Sequence, residues 1–215
     1  MQDWNMSTVI IRTGFALLSM LLCLTEAAGQ NCFWSSIDHK VGYEESGIWN
    51  PSIYRHVLTA ATVANFAGAI WEGSETRLGK TMWQSIDSWA IANVTAEAGK
   101  RIFSRVRPST QDNPCLWFKG DGNTSFPSGE SAMAAGLVTP YVLEYGKDHP
   151  ATYGLLLLPL YVGLGRIKNQ DHWQTDVLAG WAIGGLAGWY AHSRETPFFI
   201  EILPDGFAVG LKVKF

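Results

Sequence analysis

The sequence predicts an all-α fold, a compact helical bundle followed by a short C-terminal β-hairpin. The chain has 215 residues, of which 47% are hydrophobic and 16% charged, enough apolar side chain for one domain with a sizeable core. Long stretches of the chain carry apolar residues near helical spacing. Only the C-terminal segment FFIEILPDGFAVGLKVKF is typical of paired strands, around the turn Pro204-Asp205-Gly206.

Five helices are expected between the two ends of the chain. The first opens with Asn50 as its N-cap and Pro51 at its first position. The second runs from about residue 80 to 105 and stops before Pro108, because a residue that precedes proline disfavours helix. A loop rich in Pro, Asp, Asn and Gly follows, and the remaining helices are expected at about 128–144, 150–164 and 176–192.

Residues 1–29 have the pattern of a signal peptide. Arg12 precedes the uncharged run TGFALLSMLLCLT, and the small residues of EAAGQ suit cleavage near residues 27–29. A membrane anchor is the alternative, but the run is short for a span. The prediction therefore divides the chain into a signal peptide, a helical domain at 30–197 and the hairpin at 198–215. It places the mature protein in the periplasm or outside the cell, with membrane association as the alternative.

The cysteines agree with export. Cys23 would leave with the signal peptide, and Cys32 and Cys115 remain as an even pair in a compartment where disulfides form. We therefore expect a disulfide between Cys32 and Cys115, with two free buried thiols as the alternative.

Partners are constrained by charge and by run length. The formal net charge of -3 gives no reason to expect nucleic acid. The uncharged runs at 57–71, 150–165 and 177–191 are shorter than the roughly 18–20 residues of a membrane span. Gly180, Gly184 and Gly188 form a stripe of small residues that serves close helix packing in membrane and soluble bundles alike. Peripheral membrane contact stays open, and so does a homo-oligomer in which the hairpin packs on a partner subunit.

The segment GRIKNQDHWQTD, at residues 165–176, places charged residues between two apolar runs. His172 and Asp176 share a face if a helix begins near His172. The carboxylate can then accept a hydrogen bond from one ring nitrogen, which leaves the other free as a nucleophile or base. Arg166 precedes this pair. A capping salt bridge is the alternative interpretation.

Two further segments suggest an anion site. In KRIFSRVRP, Lys100 and Arg107 are about two helical turns apart, so both cations are expected on one face and Arg105 on another. In SFPSGESA, Ser128 and Gly129 open a helix whose unpaired N–H groups favour an anion such as phosphate, and a glycine lets the backbone approach closely. A solvated basic helix end and a plain N-cap are the alternatives.

The motifs K-x6-R-P, P-S-G and R-x5-H-x3-D, in that order, resemble the signature of the type 2 phosphatidic acid phosphatase superfamily. That superfamily includes bacterial acid phosphatases, lipid phosphatases and vanadium-dependent haloperoxidases, and the resemblance implies its helical bundle. It implies His172 as the nucleophile that takes the phosphoryl group, through a phosphohistidine intermediate, and Asp176 as the residue that orients it. The phosphate oxygens would be held by Lys100, Arg107, Ser128, Gly129 and Arg166.

This chemistry needs positioning and charge neutralisation, which cations and helix-start amides provide, so no metal or other cofactor is expected. Asp171, His172 and Asp176 form an alternative metal set, which the three neighbouring cations disfavour. The superfamily motif continues as P-S-G-H, and its histidine protonates the leaving group, whereas this chain has Glu130. Repulsion by phosphate and burial both favour a protonated carboxyl group, so Glu130 is expected to be the general acid. A changed activity, a pseudoenzyme or an engineered site is the alternative.

The sequence thus predicts a metal-independent phosphoric ester hydrolase, with phosphotransfer as a related activity, that acts on a phosphomonoester or a lipid (pyro)phosphate. A vanadate-dependent haloperoxidase is one alternative, weakened by the missing histidine, and a non-catalytic phosphate binder is another. Trp117, Phe118 and Phe126 could line a lip for an acyl or prenyl chain, although aromatic residues are more often core.

Overall fold

The computed structural model describes residues 32–120 and 122–194, together with the backbone of the strands β1 (Phe199–Leu203) and β2 (Gly206–Gly210). Its α-helices are α1 (Pro51–Glu72), α2 (Arg77–Phe103), α3 (Gly129–Tyr145), α4 (Leu157–Lys168) and α5 (Gln174–Ser193). Short 3-10 helices occupy Phe33–Ser36, Gly47–Trp49 and Pro150–Leu156. The predicted all-α class is confirmed.

The start of α1 follows the predicted capping pattern. The Asn50 side chain accepts a hydrogen bond from the Ser52 N–H at 2.9 Å, and Pro51 occupies the first helical position. The helix predicted at 150–164 divides instead into the 3-10 segment Pro150–Leu156 and α4.

The end of α2 differs from the prediction. The helix stops at Phe103 rather than at residue 105, because Ser104 adopts a left-handed conformation with φ of 39°. Arg107 therefore lies in the loop after α2. The argument from two helical turns was wrong, and the loop rather than helical periodicity brings Arg107 to the site.

The central helix of the bundle is α3, which contributes to both hydrophobic clusters of the core. One cluster joins α1, α3 and α4 around Leu137. The other joins α2, α3 and α5 through the small side chains Ala92, Ala96, Ala132 and Ala187. Because these side chains are small, the backbones of the three helices approach closely.

Glycines of α5 make its contact with α3 equally close. A Cβ placed on Gly184 would lie 2.3 Å from the Ala132 carbonyl oxygen, and one on Gly180 would lie 2.5 Å from the Ser128 carbonyl oxygen. Any side chain at these positions would push α5 away from α3. The small-residue stripe thus serves packing inside the bundle and brings the start of α5 against the start of α3.

The strands β1 and β2 are antiparallel, with Phe199 opposite Gly210. Pro204 and Asp205 lie outside the described residues, so the predicted hairpin at 198–215 stays a prediction. The predicted signal peptide at 1–29 also lies outside the described residues. Within the described part of the chain, no helix is both long and apolar enough to cross a membrane.

Candidate active site

The three sequence motifs meet at one end of the bundle, where α3 and α5 begin and α2 and α4 end. The first motif covers the end of α2 and the loop after it, the second opens α3, and the third covers the turn between α4 and α5. The second and third motifs touch directly, since the Ser128 N–H donates to the Asp176 carbonyl at 2.9 Å. Segments that are distant in sequence therefore form one polar cluster.

His172 is buried in this cluster, with 2% of its surface exposed. Its Nδ1 lies 2.6 Å from the Ser125 carbonyl oxygen, which can only accept, so Nδ1 carries the ring hydrogen in the neutral imidazole. Its Nε2 then carries the lone pair and accepts a hydrogen bond from Arg166 Nη2 at 3.2 Å. The ring thus presents an unprotonated nitrogen to the cationic side of the site.

The surroundings of His172 keep the ring neutral. Burial lowers the pKa of His172, the Arg166 and Arg107 guanidinium groups lower it further, and the Asp176 carboxylate acts in the opposite direction. The net effect is a pKa below the ordinary histidine value. The neutral, nucleophilic form therefore persists to lower pH than in an exposed histidine.

Asp176 lies beside His172 but does not make the predicted direct hydrogen bond. Its Oδ2 is 3.8 Å from Nδ1, because this oxygen accepts hydrogen bonds from Ser125 Oγ at 2.5 Å and from the Trp173 N–H at 2.9 Å. Burial alone would raise the pKa of Asp176, but the His172 ring and the Arg105 guanidinium hold it below its ordinary value. Ser125 therefore links the two groups, because its hydroxyl donates to Asp176 and its carbonyl accepts from the His172 ring.

Arg105 is a site-supporting residue that the sequence argument missed. It is fully buried, and its guanidinium donates to Asp176 Oδ1 and to Asp38 Oδ2, both at 2.6 Å. Its remaining N–H groups bond to the Thr175 hydroxyl and the Pro114 carbonyl. Asp38 also accepts the Thr175 backbone N–H at 2.8 Å. No local pattern marks Asp38 as the partner of an arginine 67 residues away.

Two motif arginines converge on Asp171. Arg107 Nη1 is 3.2 Å from one of its carboxylate oxygens, and Arg166 Nη1 is 3.0 Å from the other. Arg166 is buried, and its Nε has no hydrogen-bond partner in the described part of the chain. An unpaired buried donor costs about 1–3 kcal/mol, so this guanidinium has unused capacity for an acceptor such as a phosphate oxygen.

The alternative metal set is not assembled. Among residues 32–120 and 122–194, no three His, Cys, Asp or Glu side chains are grouped to hold a metal ion. Asp171 is engaged by arginines, and Asp176 by Arg105. Metal-independent activity itself stays a prediction.

Lys100 reaches the start of α3. Its Nζ pairs with Glu97 at 2.5 Å, and a Cβ placed on Gly129 would lie 3.0 Å from that Nζ. A glycine at this position therefore leaves room for the ammonium group beside the first turn of α3. Ser128 is the buried N-cap residue, and its hydroxyl pairs with that of Ser131 at 2.8 Å instead of capping the helix. A cation beside a helix start is an arrangement that favours an anion.

Glu130, the residue that departs from the P-S-G-H pattern, lies where two guanidinium groups meet. Its Oε1 accepts hydrogen bonds from Arg166 Nη1 at 3.2 Å and from Arg55 Nε at 3.1 Å. Its Oε2 is buried without a hydrogen-bond partner in the described part of the chain. Arg55 lies in α1, outside the three motifs, and sequence reasoning missed it.

The three residues of the predicted aromatic lip are partly or largely exposed, and two of them form an aromatic cluster. Trp117 and Phe126 pack on each other with ring centroids 5.0 Å apart, and both contact Phe103. Trp117 also lies against the Arg105 guanidinium, 4.3 Å from ring centroid to carbon. Phe118 is the most exposed of the three predicted residues, at 46%.

A disulfide joins Cys32 to Cys115 and ties the segment before α1 to the loop after α2. The tied segment crosses the site end of the bundle. Its His39 backbone exchanges two hydrogen bonds with the Gln174 side chain, at 2.9 and 3.1 Å. The segment thereby delivers Asp38 to the buried Arg105.

Together, the fold and this cluster define an all-α protein in which a buried histidine, with its pKa lowered, lies beside a group of cationic side chains. The sequence model of the PAP2 superfamily matches residues 81–197, more than half of the chain. The chain belongs to this superfamily, as the three motifs predicted.

The chain is similar to a curated relative and to a solved structure. It is 32% identical over 119 residues to the lipid A 1-phosphatase of Porphyromonas gingivalis, a match that covers 55% of this chain. The match covers 24% of the relative, so this chain spans about a quarter of that protein's length. The crystal structure of Aquifex aeolicus LpxE is 20% identical, with a TM-score of 0.45 over 66% of this chain and 86% of that one.

Proposed function

We propose that this chain is a metal-independent phosphatase that hydrolyses a lipid phosphate through a phosphohistidine intermediate on His172. The observation that carries the proposal is the buried imidazole, whose Nδ1 hydrogen is held by Ser125 and whose Nε2 lone pair faces Arg166 at 3.2 Å. An unprotonated nucleophile beside a fixed cation is what phosphoryl transfer requires, and Arg166 would have to pass its hydrogen bond from Nε2 to a phosphate oxygen before attack. Membership in the PAP2 superfamily and the identity with a lipid A 1-phosphatase support it.

The cations around His172 would bind the phosphoryl oxygens. Arg166 offers its unpaired Nε, and Arg107 and Lys100 approach from the end of α2 and its loop. The first turn of α3 adds N–H groups beside Gly129. Preorganised donors of this kind stabilise the charge that spreads over the oxygens in the transition state.

The reaction would proceed in two steps. In the first, Nε2 of His172 forms a bond to phosphorus as the bond to the leaving oxygen breaks, and Glu130 donates a proton to that oxygen. In the second, a water molecule attacks the phosphorus, its proton passes to the Glu130 carboxylate, and the bond to Nε2 breaks to release phosphate. Glu130 thus gives up one proton in the first step and regains one in the second, so the two steps balance. We assign this role to Oε2, which is buried without a hydrogen-bond partner in the described part of the chain.

A lipid substrate suits the apolar surface of the bundle. A cavity of about 450 Å³ lies between α3, α4 and α5, and Leu156, Leu160 and Trp181 are among its lining residues. Leu157 on α4 and Leu186 on α5 are each 66% exposed. Acyl chains could use this surface, and so could a peripheral contact with a membrane, which forms part of the proposal.

Export to the periplasm or to the outside of the cell is also part of the proposal. The signal-peptide pattern of residues 1–29 and the Cys32–Cys115 disulfide support it. The intact mass of the protein recovered from the periplasm tests cleavage and disulfide formation together.

The test of the function is phosphate release by the purified full chain, measured over lipid A, phosphatidic acid, prenyl pyrophosphate and soluble phosphomonoesters. We expect turnover of a lipid phosphate in the presence of a chelator and none in His172→Ala. Acid-labile phosphate bound to the protein after rapid quenching would report phosphohistidine.

His192→Ala is the matched control, because His192 lies at the far end of α5, paired with Glu144, and should keep its turnover. Full activity in His172→Ala would refute the nucleophile assignment. Loss of activity with chelator that a divalent metal restores would refute metal independence. Phosphate binding without turnover of any substrate would refute the phosphatase and support the alternative of a non-catalytic phosphate binder.

A further inference from the structure

The side chain of Arg55 shares one carboxylate oxygen with a motif arginine. Arg55 Nε is 3.1 Å from Glu130 Oε1, and Arg166 Nη1 is 3.2 Å from the same oxygen. Arg55 Nη2 also lies 3.9 Å from Asp171 Oδ2. Arg55 belongs to none of the three motifs and lies before residues 81–197, which the superfamily matches.

The two arginines differ in their freedom to move. The Arg166 side chain is 5% exposed and Arg55 is 49% exposed. Arg166 is therefore held in place, whereas Arg55 can adjust at the rim of the site and follow a carboxylate that moves.

The backbone that carries Arg55 is nonetheless anchored to the site. The neighbouring Tyr54 is fully buried, and its hydroxyl donates to Asn169 Oδ1 at 2.8 Å. Asn169 in turn donates to the backbone carbonyls of Glu44 and Trp49, at 2.6 and 3.2 Å. The first turns of α1 are thereby tied to the turn between α4 and α5, which places the Arg55 head group beside Glu130.

Glu130 and an incoming phosphate would compete for Arg166. Glu130 and Asp171 already contact Nη1 of this guanidinium, and its Nε is the unpaired donor. A phosphate oxygen at Nε would be repelled by both carboxylates, so an ionised Glu130 weakens phosphate binding unless it moves away from Arg166. A superfamily histidine at this position would not carry that negative charge. Glutamate at this position thus adds a carboxylate that competes with phosphate for Arg166. Arg55 is a cation outside the motifs that contacts this carboxylate.

We infer that Arg55 is a positioning residue that retains Glu130 when phosphate binds and so releases Arg166 for the substrate. The inference rests on the proposed phosphate site. It explains how a chain with glutamate in place of the P-S-G-H histidine keeps an accessible anion site. Arg55 and Glu130 then act as a pair, and the effect of changing one depends on the presence of the other.

The test is a double-mutant cycle on the binding of inorganic phosphate to the full chain, measured by titration calorimetry near neutral pH. We expect Arg55→Met to weaken phosphate binding by roughly tenfold, within the range of coupling between contacting charged residues. Glu130→Gln should tighten binding, because the competing charge is gone. In the Glu130→Gln background, Arg55→Met should change the affinity by less than about twofold.

Two further variants separate this role from fold and general charge. Arg55→Lys keeps a cation and should retain most of the affinity. Lys147→Ala removes one charge beyond the far end of α3, about 25 Å from its start at 1.5 Å per residue, and should bind phosphate like the wild type. Thermal unfolding of every variant shows whether the fold is intact, and Arg55→Gln replaces Arg55→Met if the latter unfolds.

Equal weakening by Arg55→Met in both backgrounds would overturn the inference, because Arg55 would then act on phosphate directly. No weakening in either background would overturn it as well. A wild-type chain that binds no phosphate would refute the proposed anion site itself, and the inference with it. The chain could also bind phosphate but hydrolyse no ester. If the effect of Arg55→Met on phosphate affinity then still depends on Glu130, the inference is supported while the catalytic proposal fails.

Discussion

His172 is the residue whose protonation state decides when the proposed reaction can run. Only the neutral imidazole has the Nε2 lone pair that attacks phosphorus. Burial and the two neighbouring guanidinium groups lower the pKa of His172. As the proposed nucleophile, His172 would therefore stay neutral at pH values at which an exposed histidine is already protonated.

The first prediction concerns the titration of His172. In the free protein its midpoint should lie below the ordinary value of about 6.5, so that attack is lost only as the pH falls through the lowered value. Nuclear magnetic resonance of the ring, assigned by its disappearance in His172→Gln, measures the midpoint directly. A midpoint at or above about 6.5 would contradict the neutral buried ring.

Glu130 has two opposite tasks at the residue scale. As a carboxylate it accepts hydrogen bonds from two guanidinium groups, and as the proposed acid it has to donate a proton. The proposed cycle separates the two tasks in time, because the side chain has to leave Arg166 when phosphate binds and has to carry a proton when the leaving group departs.

The second prediction uses leaving groups to test the acid. Glu130→Gln keeps the size of the side chain but supplies no proton, so it should slow an alkyl phosphate strongly, by roughly a hundredfold or more. A nitrophenyl phosphate should slow much less, since its leaving group departs as a stable anion. The ratio of the two rates in the wild type and the variant is the measurement. Equal loss on both substrates would remove Glu130 from the role of acid.

At the scale of elements, the loop that follows α2 is held to the start of α5 by charge. Arg105 lies in the loop just after α2. One of its terminal nitrogens donates to Asp176 in the first turn of α5, and the other donates to Asp38. All three side chains are fully buried. The ion cluster therefore sets the position of α5, and with it the position of His172, relative to α2.

The third prediction is that Arg105→Ala destabilises the fold by about 3–5 kcal/mol, because two carboxylates stay buried without their cation. The folded pKa of Asp176 is lowered, so its stabilisation is present above the unfolded value of about 3.9 and is lost as pH falls through the folded value. The difference between wild type and variant in urea unfolding should shrink accordingly at low pH.

Arg101→Ala is the control for this prediction, since Arg101 is exposed in the last turn of α2 and its loss should stay within about 0.5 kcal/mol. A cost of Arg105→Ala no larger than that of the control would show that the cluster does not hold the elements together.

At the scale of the whole molecule, the segment before α1 acts as a tether across the site end of the bundle. It begins at the Cys32–Cys115 disulfide, contributes Asp38 to the buried cluster and meets the α4–α5 turn through Glu44, whose N–H donates to the Lys168 carbonyl at 3.0 Å. The disulfide thus anchors a segment that lies outside the superfamily match and that contacts Arg105, which in turn binds Asp176 beside His172.

The fourth prediction is that loss of the disulfide lowers the free energy of unfolding by roughly 4–5 kcal/mol in the chain-entropy treatment, since it closes a loop with a sequence separation of 83. Urea unfolding of the Cys32→Ser/Cys115→Ser variant against the oxidised wild type measures it. Reductant should destabilise the wild type and leave the variant unchanged. A wild type that is indifferent to reductant would contradict the prediction.

The sequence alone was sufficient for the helical class, the order of the three motifs and the membership in the superfamily. These features are local. Asn50 and Pro51 mark the start of α1 because capping depends on adjacent residues, and the stripe of Gly180, Gly184 and Gly188 marks a close packing face because helical spacing repeats along one segment.

Only the tertiary structure decided which groups support those motifs. The orientation of His172 depends on the Ser125 carbonyl, 47 residues away, and the pairing of Arg55 with Glu130 joins residues 75 apart. The two-turn spacing of the first motif gave a wrong prediction because α2 ends at Phe103, and the chain then turns at Ser104 and carries Arg105 into the interior. Such contacts depend on where helices end and how they cross, and side-chain periodicity within one segment carries no information about either.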